Sequence, residues 1–143
     1  MKAIGVIPAR WGSTRFEGKP LALVAGKPLL QWVIEGSRTS KLLKEIVVAT
    51  DDDRIAALAR ECGCAFAMTD SQLPTGTDRV WQAVKDREFD VVVNIQGDEP
   101  LIEGSLLDRL VEPFEKDSTL EMATLGRALD MEALQSPSTR RSF

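Results

Sequence analysis

Three cations, Arg10, Arg15 and Lys19, fall within one short stretch, Ile7-Pro-Ala-Arg-Trp-Gly-Ser-Thr-Arg-Phe-Glu-Gly-Lys-Pro-Leu21. Gly12 and Ser13 keep the backbone between them slim, so amide donors can approach an anion while the cations neutralise several phosphate charges. That combination suits a polyphosphate. The same composition also suits a solvated basic loop whose glycines serve only turns.

A second group with chemical potential is Gln96-Gly97-Asp98-Glu99-Pro100, which follows the apolar run Val91-Val-Val-Asn-Ile95. A carboxylate held just past a buried strand can ligate a divalent cation, and Asp98 is so placed. With phosphates on the first loop, the pair points to metal-assisted phosphoryl or nucleotidyl transfer. The bland alternative is a Gly-Asp turn that merely reverses the chain before Pro100.

Other chemistries are excluded or disfavoured. A Walker loop needs four residues between its glycines and Ser or Thr after the lysine, but five separate Gly12 from Gly18, and Pro20 follows Lys19. The Rossmann Gly-x-Gly-x-x-Gly pattern is absent as well. With no histidine in the chain, Ser-His-Asp and Cys-His catalysis are out. Cys62 and Cys64 are spaced for neither a redox motif nor a zinc knuckle and read as structural. Asp51, Asp52 and Asp53 sit where a helix start favours carboxylates, so capping is preferred over metal binding. Trp32 and Trp81 lie in apolar helical stripes and are assigned to the core, leaving Trp11 as the aromatic in the suspected site.

The elements that must position these groups alternate. Strands are expected at Ala3 to Ile7, across Ile46 to Thr50, at Cys64 to Met68 and at Asp90 to Ile95, the last apolar enough to be covered on both faces. Helices are expected around Leu29 to Ile34, along the Ile55, Leu58, Ala59 and Cys62 stripe, from about Asp78 to Arg87, and near Ser105 to Glu115. Thr50 and Asp53 have capping-box spacing, and Gly63 stands where a C-cap is wanted. A further strand within 121–125 and a short Met-Glu-Ala-Leu-Gln-Ser pattern follow. Alternation of this kind means an α/β fold with an open, mostly parallel, Rossmann-like sheet flanked by helices and joined by right-handed crossovers. In such a sheet ligands sit beyond the carboxyl ends of the strands, where both loops fall.

The 143 residues suit one domain, with 43% hydrophobic and 28% charged residues and a net charge of -4. That acidic balance argues against nucleic acid or an anionic membrane surface as a partner. The opening apolar run is too short for a signal peptide or a membrane span, so a cytoplasmic protein is expected.

Taken together, Ile7-Pro-Ala-Arg-Trp-Gly-Ser-Thr-Arg-Phe-Glu-Gly-Lys-Pro-Leu21, Ile46-Val-Val-Ala-Thr-Asp-Asp-Asp-Arg-Ile55, Gly76-Thr-Asp-Arg-Val-Trp-Gln-Ala-Val84 and Val92-Val-Asn-Ile-Gln-Gly-Asp-Glu-Pro-Leu-Ile102 resemble the 3-deoxy-manno-octulosonate cytidylyltransferases, the CMP-KDO synthetases. The resemblance runs over roughly the first 130 residues in consistent order. It implies a nucleotidyltransferase fold, CTP and the sugar acid KDO as substrates, CMP-KDO and pyrophosphate as products, and a role in lipopolysaccharide synthesis. It implies Mg2+ as cofactor, held by Asp98. Carried over by position, Arg10, Ser13, Arg15 and Lys19 belong to the triphosphate loop, Ala9 meets the cytosine through its backbone, Gly76 and Arg79 lie near the base, and Gln96 meets the nucleotide. Arg10, Lys19 and Asp98 are the catalytic candidates.

This chain departs from the family pattern at Trp11, Gly12 and Glu17, where Tyr, then Ala or Gly, and Pro are common, and at Leu73-Pro74-Thr75 before the Gly-Thr-Asp-Arg segment. The family continues for roughly another hundred residues, within the size of one domain. Residues 1–143 are therefore expected to be the N-terminal, nucleotide-binding part of a nucleotidyltransferase domain, with 138–143 an atypical tail. The acceptor pocket, a second metal-binding Asp and the surface of the family's homodimer would then be missing. A non-catalytic nucleotide-binding remnant, and a nucleotidyltransferase for another acid sugar, stay open.

Overall fold

The computed structural model describes residues 2–12 and 17–117. In chain order these form β1 (Ala3–Ala9), a 3-10 turn (Lys19–Leu21), β2 (Leu23–Val24), β3 (Lys27–Pro28), α1 (Leu29–Ser37), β4 (Leu43–Thr50), α2 (Asp53–Glu61), β5 (Ala65–Met68), α3 (Gly76–Val84), β6 (Val91–Asn94) and α4 (Gly104–Lys116). The expected strand within 121–125, the pattern after it and the tail lie outside the described residues.

Four strands form a parallel sheet in the order β5-β4-β1-β6, and β2 and β3 make a small separate hairpin. Because successive strand side chains point to opposite faces, β1 is split between two cores. Ala3, Ile7 and Ala9 pack with Leu30, Val33 and Ile34 of α1, Ile55 and Leu58 of α2, and Leu107 and Leu110 of α4. Ile4 and Val6 face the other way, toward Val47, Ala49 and the Val80, Ala83 and Val84 stripe of α3.

The second face is more thinly covered. Val91, Val93 and Ile95 are buried, whereas the alternate residues Val92 and Asn94 are only half-buried. Cover on both sides of this strand was expected from its composition. Among the described residues α3 is the one helix on that face, and it packs over β1 and β4.

β1 runs two residues further than its apolar pattern suggests, through Pro8 to Ala9. Proline is tolerated because of where the ladder stops. The Val6 carbonyl accepts from Ile95 at 2.8 Å, and the register to β6 ends there. Two residues on, Pro8 turns its missing N–H to the same side, where no strand remains to bond it.

The turn after helix α2 matches expectation: Gly63 has φ 68°, past the C-cap Cys62. The N-terminus does not. Thr50 ends β4, and Asp52 caps the helix by accepting from the amides of Arg54 and Ile55. The Thr50 hydroxyl instead accepts from the Asp52 amide at 3.2 Å. Capping-box spacing recurs at Thr75 and Asp78, and there it is used: Thr75 Oγ1 accepts from the Asp78 amide at 3.1 Å.

Candidate functional site

Beyond the carboxyl ends of β1 and β6 lies a cleft of about 250 Å³ lined by Pro8, Arg10, Leu73, Pro74, Thr75, Gly76, Arg79 and Gln96. Four residues singled out from sequence, Arg10, Gly76, Arg79 and Gln96, thus share one cavity. Pro8 is their common neighbour. A Cβ on Gly97 would stand 3.1 Å from the Pro8 carbonyl oxygen, so the chain leaving β6 crosses β1 at a separation that favours glycine. On the other side, a Cβ on Gly76 would meet the Pro8 ring at 3.6 Å. Helix α3 therefore starts against the cleft with its positive end.

Lys19 reaches the site from the 3-10 turn, which Pro20 anchors by burial. Its Nζ lies 3.9 Å from Asp98 Oδ2, and both side chains stay at least half exposed. The cationic loop and the acidic turn are thereby brought to one edge. Ala9 ends β1, buried and paired with Thr50. Ser13 and Arg15 lie outside the described residues.

Arg79 is 2% exposed, unusual for a guanidinium. Its Nη1 donates to Thr69 Oγ1 at 2.6 Å and to the Asp70 carbonyl at 3.1 Å. Among the described residues no carboxylate pairs with it, so no such partner offsets a guanidinium that lines the cleft. Thr69 and Asp70 escaped the sequence reading because no local pattern marks them as partners of a residue in the next helix.

Trp11 is engaged by the protein. Its amide donates to Asp51 Oδ1 at 3.2 Å, its indole Nε1 donates to Glu17 Oε1 at 2.9 Å, and the Arg54 guanidinium lies 3.2 Å from its ring centroid. Asp51 and Asp52 thus serve structure, as expected. The other tryptophans correct the reading. Trp81 is 61% exposed, because the buried stripe of α3 is Val80, Ala83 and Val84 and residue 81 falls outside it. Trp32 is half-buried, donates to the Val24 carbonyl at 2.7 Å and lies under Lys27, so it closes the hairpin rather than filling the core.

Cys62 and Cys64 are free thiols, and burial pushes both above the ordinary thiol range, which suits an inert role. Among the described residues no three Cys, Asp or Glu side chains converge on a metal position. Asp98 is an exposed hard oxygen donor that faces Lys19 of the cationic loop. That donor set fits magnesium, which commonly takes one or two carboxylates and completes its shell with phosphate oxygens and water. Among the described residues no helix is long and apolar enough to cross a membrane.

The profile of a family described as cytidylyltransferase matches residues 4–140. A 3-deoxy-manno-octulosonate cytidylyltransferase of Bdellovibrio bacteriovorus is 57% identical over 136 residues, which cover 95% of this chain and 55% of that protein. Its namesake in Geotalea daltonii is 46% identical over 125 residues, covering 87% and 49%. Among solved structures, CMP:2-keto-3-deoxy-manno-octonic acid synthetase complexed with CTP superposes with a TM-score of 0.84 at 36% identity, covering 93% of this chain and 56% of that one. A cytidylyltransferase from Leptospira borgpetersenii gives 0.73 at 30% identity, covering 82% and 50%. The chain spans about half the length of the curated relatives it matches. With the family profile matching residues 4–140 and a relative 57% identical over 95% of this chain, the chain belongs to the cytidylyltransferase family.

Proposed function

We propose that this chain is the nucleotide-binding half of a cytidylyltransferase that transfers CMP from CTP to KDO, giving CMP-KDO and pyrophosphate for lipopolysaccharide synthesis. The observation that carries the reading is the convergence of Arg10, Gly76, Arg79 and Gln96 on one cleft beside the Lys19–Asp98 pair. The CTP complex of the similar synthetase supports CTP as the nucleotide.

In this reading the base enters the cleft between Pro8 and the start of α3, and the triphosphate runs toward Lys19. Arg10 and Lys19 neutralise its charge, which lowers repulsion toward an incoming oxygen nucleophile. The sugar hydroxyl oxygen bonds to the α-phosphorus as its proton passes to solvent water, and the bond from that phosphorus to the bridging oxygen breaks, its electron pair leaving with pyrophosphate. Lys19 and Arg10 stabilise the departing pyrophosphate, and most of the acceleration comes from positioning and charge. Asp98 would hold magnesium, which supplies further neutralisation of phosphate charge.

Calorimetric titration with CTP and magnesium tests the nucleotide reading. Saturable binding lost in Lys19→Ala and Asp98→Ala is expected. A folded chain that ignores CTP would overturn that reading.

A further inference from the structure

Trp11 is not among the residues that line the cleft, and four groups of the protein engage it instead. Its amide and its indole N–H donate to Asp51 and Glu17, and Arg54 covers its ring. A Cβ on Gly18 would come within 2.7 Å of the indole, and Gly18 adopts φ 72°, a conformation open to glycine. The Gly18 amide then donates to the Trp11 carbonyl at 2.8 Å.

These contacts tie both ends of the cationic loop to a rigid element. Arg54 is ion-paired at 2.9 Å with Asp52, the residue that caps α2. A continuous path therefore runs from α2 through Arg54 to Trp11, and from Trp11 to Glu17 and Gly18, next to Lys19. We infer that Trp11, Glu17 and Arg54 form a clasp that fixes the ends of the loop before nucleotide arrives, with Trp11 and Glu17 acting as positioning residues. The inference rests on the reading above that this loop takes the phosphates of CTP. A loop fixed in advance loses less conformational freedom on binding.

Glu17 gives the test its sign. If it were only a carboxylate beside a polyphosphate, removing its charge would tighten CTP binding. As part of the clasp, Glu17→Ala frees the indole and weakens CTP binding about fivefold. Glu17→Gln, whose amide oxygen still accepts from the indole, retains wild-type affinity although the charge is gone. Trp11→Phe keeps a ring for Arg54 but loses the N–H, and it weakens binding to the same degree as Glu17→Ala.

The experiment is CTP calorimetry on the full chain and these variants, with amide hydrogen exchange at Trp11 and Gly18 in nucleotide-free protein. Weakened binding in Glu17→Ala, rescue in Glu17→Gln and loss of protection at both amides in Glu17→Ala support the clasp. Unchanged or tighter binding in Glu17→Ala overturns it. If the wild type binds no CTP, exchange still separates the two ideas. Protected amides that Glu17→Ala exposes would leave the clasp standing as a loop anchor while the nucleotide reading falls. Amides unprotected in the wild type would overturn the clasp itself.

Discussion

Lys19 Nζ and Asp98 Oδ2 face each other at 3.9 Å, so the loop after β1 and the turn after β6 meet through one pair of opposite charges. Both side chains are well exposed, and an ion pair in that setting adds at most about 1 kcal/mol to stability. Asp98→Ala is therefore expected to keep the melting temperature within about 4 °C of wild type while abolishing magnesium-dependent CTP binding. Thermal melting and calorimetry on the same sample check both halves. A collapse in stability would assign Asp98 to the fold instead.

Arg79 is expected to act through its orientation as well as its charge. Thr69→Val removes the 2.6 Å acceptor of its Nη1 without touching the cleft directly. Loss of one buried hydrogen bond to a charged group costs about 1.5–3 kcal/mol. Urea unfolding should show that loss, and CTP affinity should fall with it. Arg79→Lys should lower affinity too, since one ammonium cannot reproduce the directed contacts of a guanidinium.

Two glycines mark backbone approaches that admit no side chain. A Cβ on Gly104 would lie 1.9 Å from the Ser40 amide nitrogen, and one on Gly36 would lie 2.2 Å from the Ile102 carbonyl oxygen. Each Ala substitution is expected to destabilise by about 1–3 kcal/mol, as overpacking does. Gly12→Ala is the contrast, since a Cβ there meets nothing within 4 Å. Denaturant midpoints for the three variants check the ranking.

Acid should loosen the link between α4 and the start of β4. Burial pushes the Asp108 carboxyl upward, but bonds from Ser40 Oγ at 2.5 Å and from the amides of Lys41 and Leu42 outweigh it, holding it below the ordinary 3.8. At Asp52 the hydrogen bond from Arg54 lowers the carboxyl most, against burial and with help from two amides. A depressed carboxylate contributes stability above the unfolded value of about 3.8, and that contribution is lost as pH falls through the lower folded value. Stability measured against pH should drop below about pH 3.8. Asp108→Asn should be less stable near neutrality and flatter through that acid range.

The strand cores and the amphipathic helices were legible because burial repeats with the period of the element. Val80 and Val84, or Val91, Val93 and Ile95, announce their faces within a few residues. The position of the candidate site was legible for a different reason: Arg10, Lys19 and Asp98 occupy the loops that a parallel sheet sends to its carboxyl side. What stayed hidden depends on partners far along the chain. Asp108 bonds to residues 66 to 68 positions earlier, and Trp11 to a carboxylate 40 positions later. Nothing local distinguishes Trp81 as exposed either, because one helical step separates it from the buried Val80.

The central place of β1 also sets an order of events during synthesis. It is made before the other strands of its sheet, yet it pairs with β4 on one side and β6 on the other. The Lys2 amide at its start donates to Asp90 Oδ2 across 88 residues. At about 5–20 residues per second, that partner leaves the ribosome roughly 4 to 18 seconds later. The apolar run Ala3 to Ile7 must wait that long half-paired, so recognition by holding chaperones on translating ribosomes should fade only once residues up to about 95 have emerged.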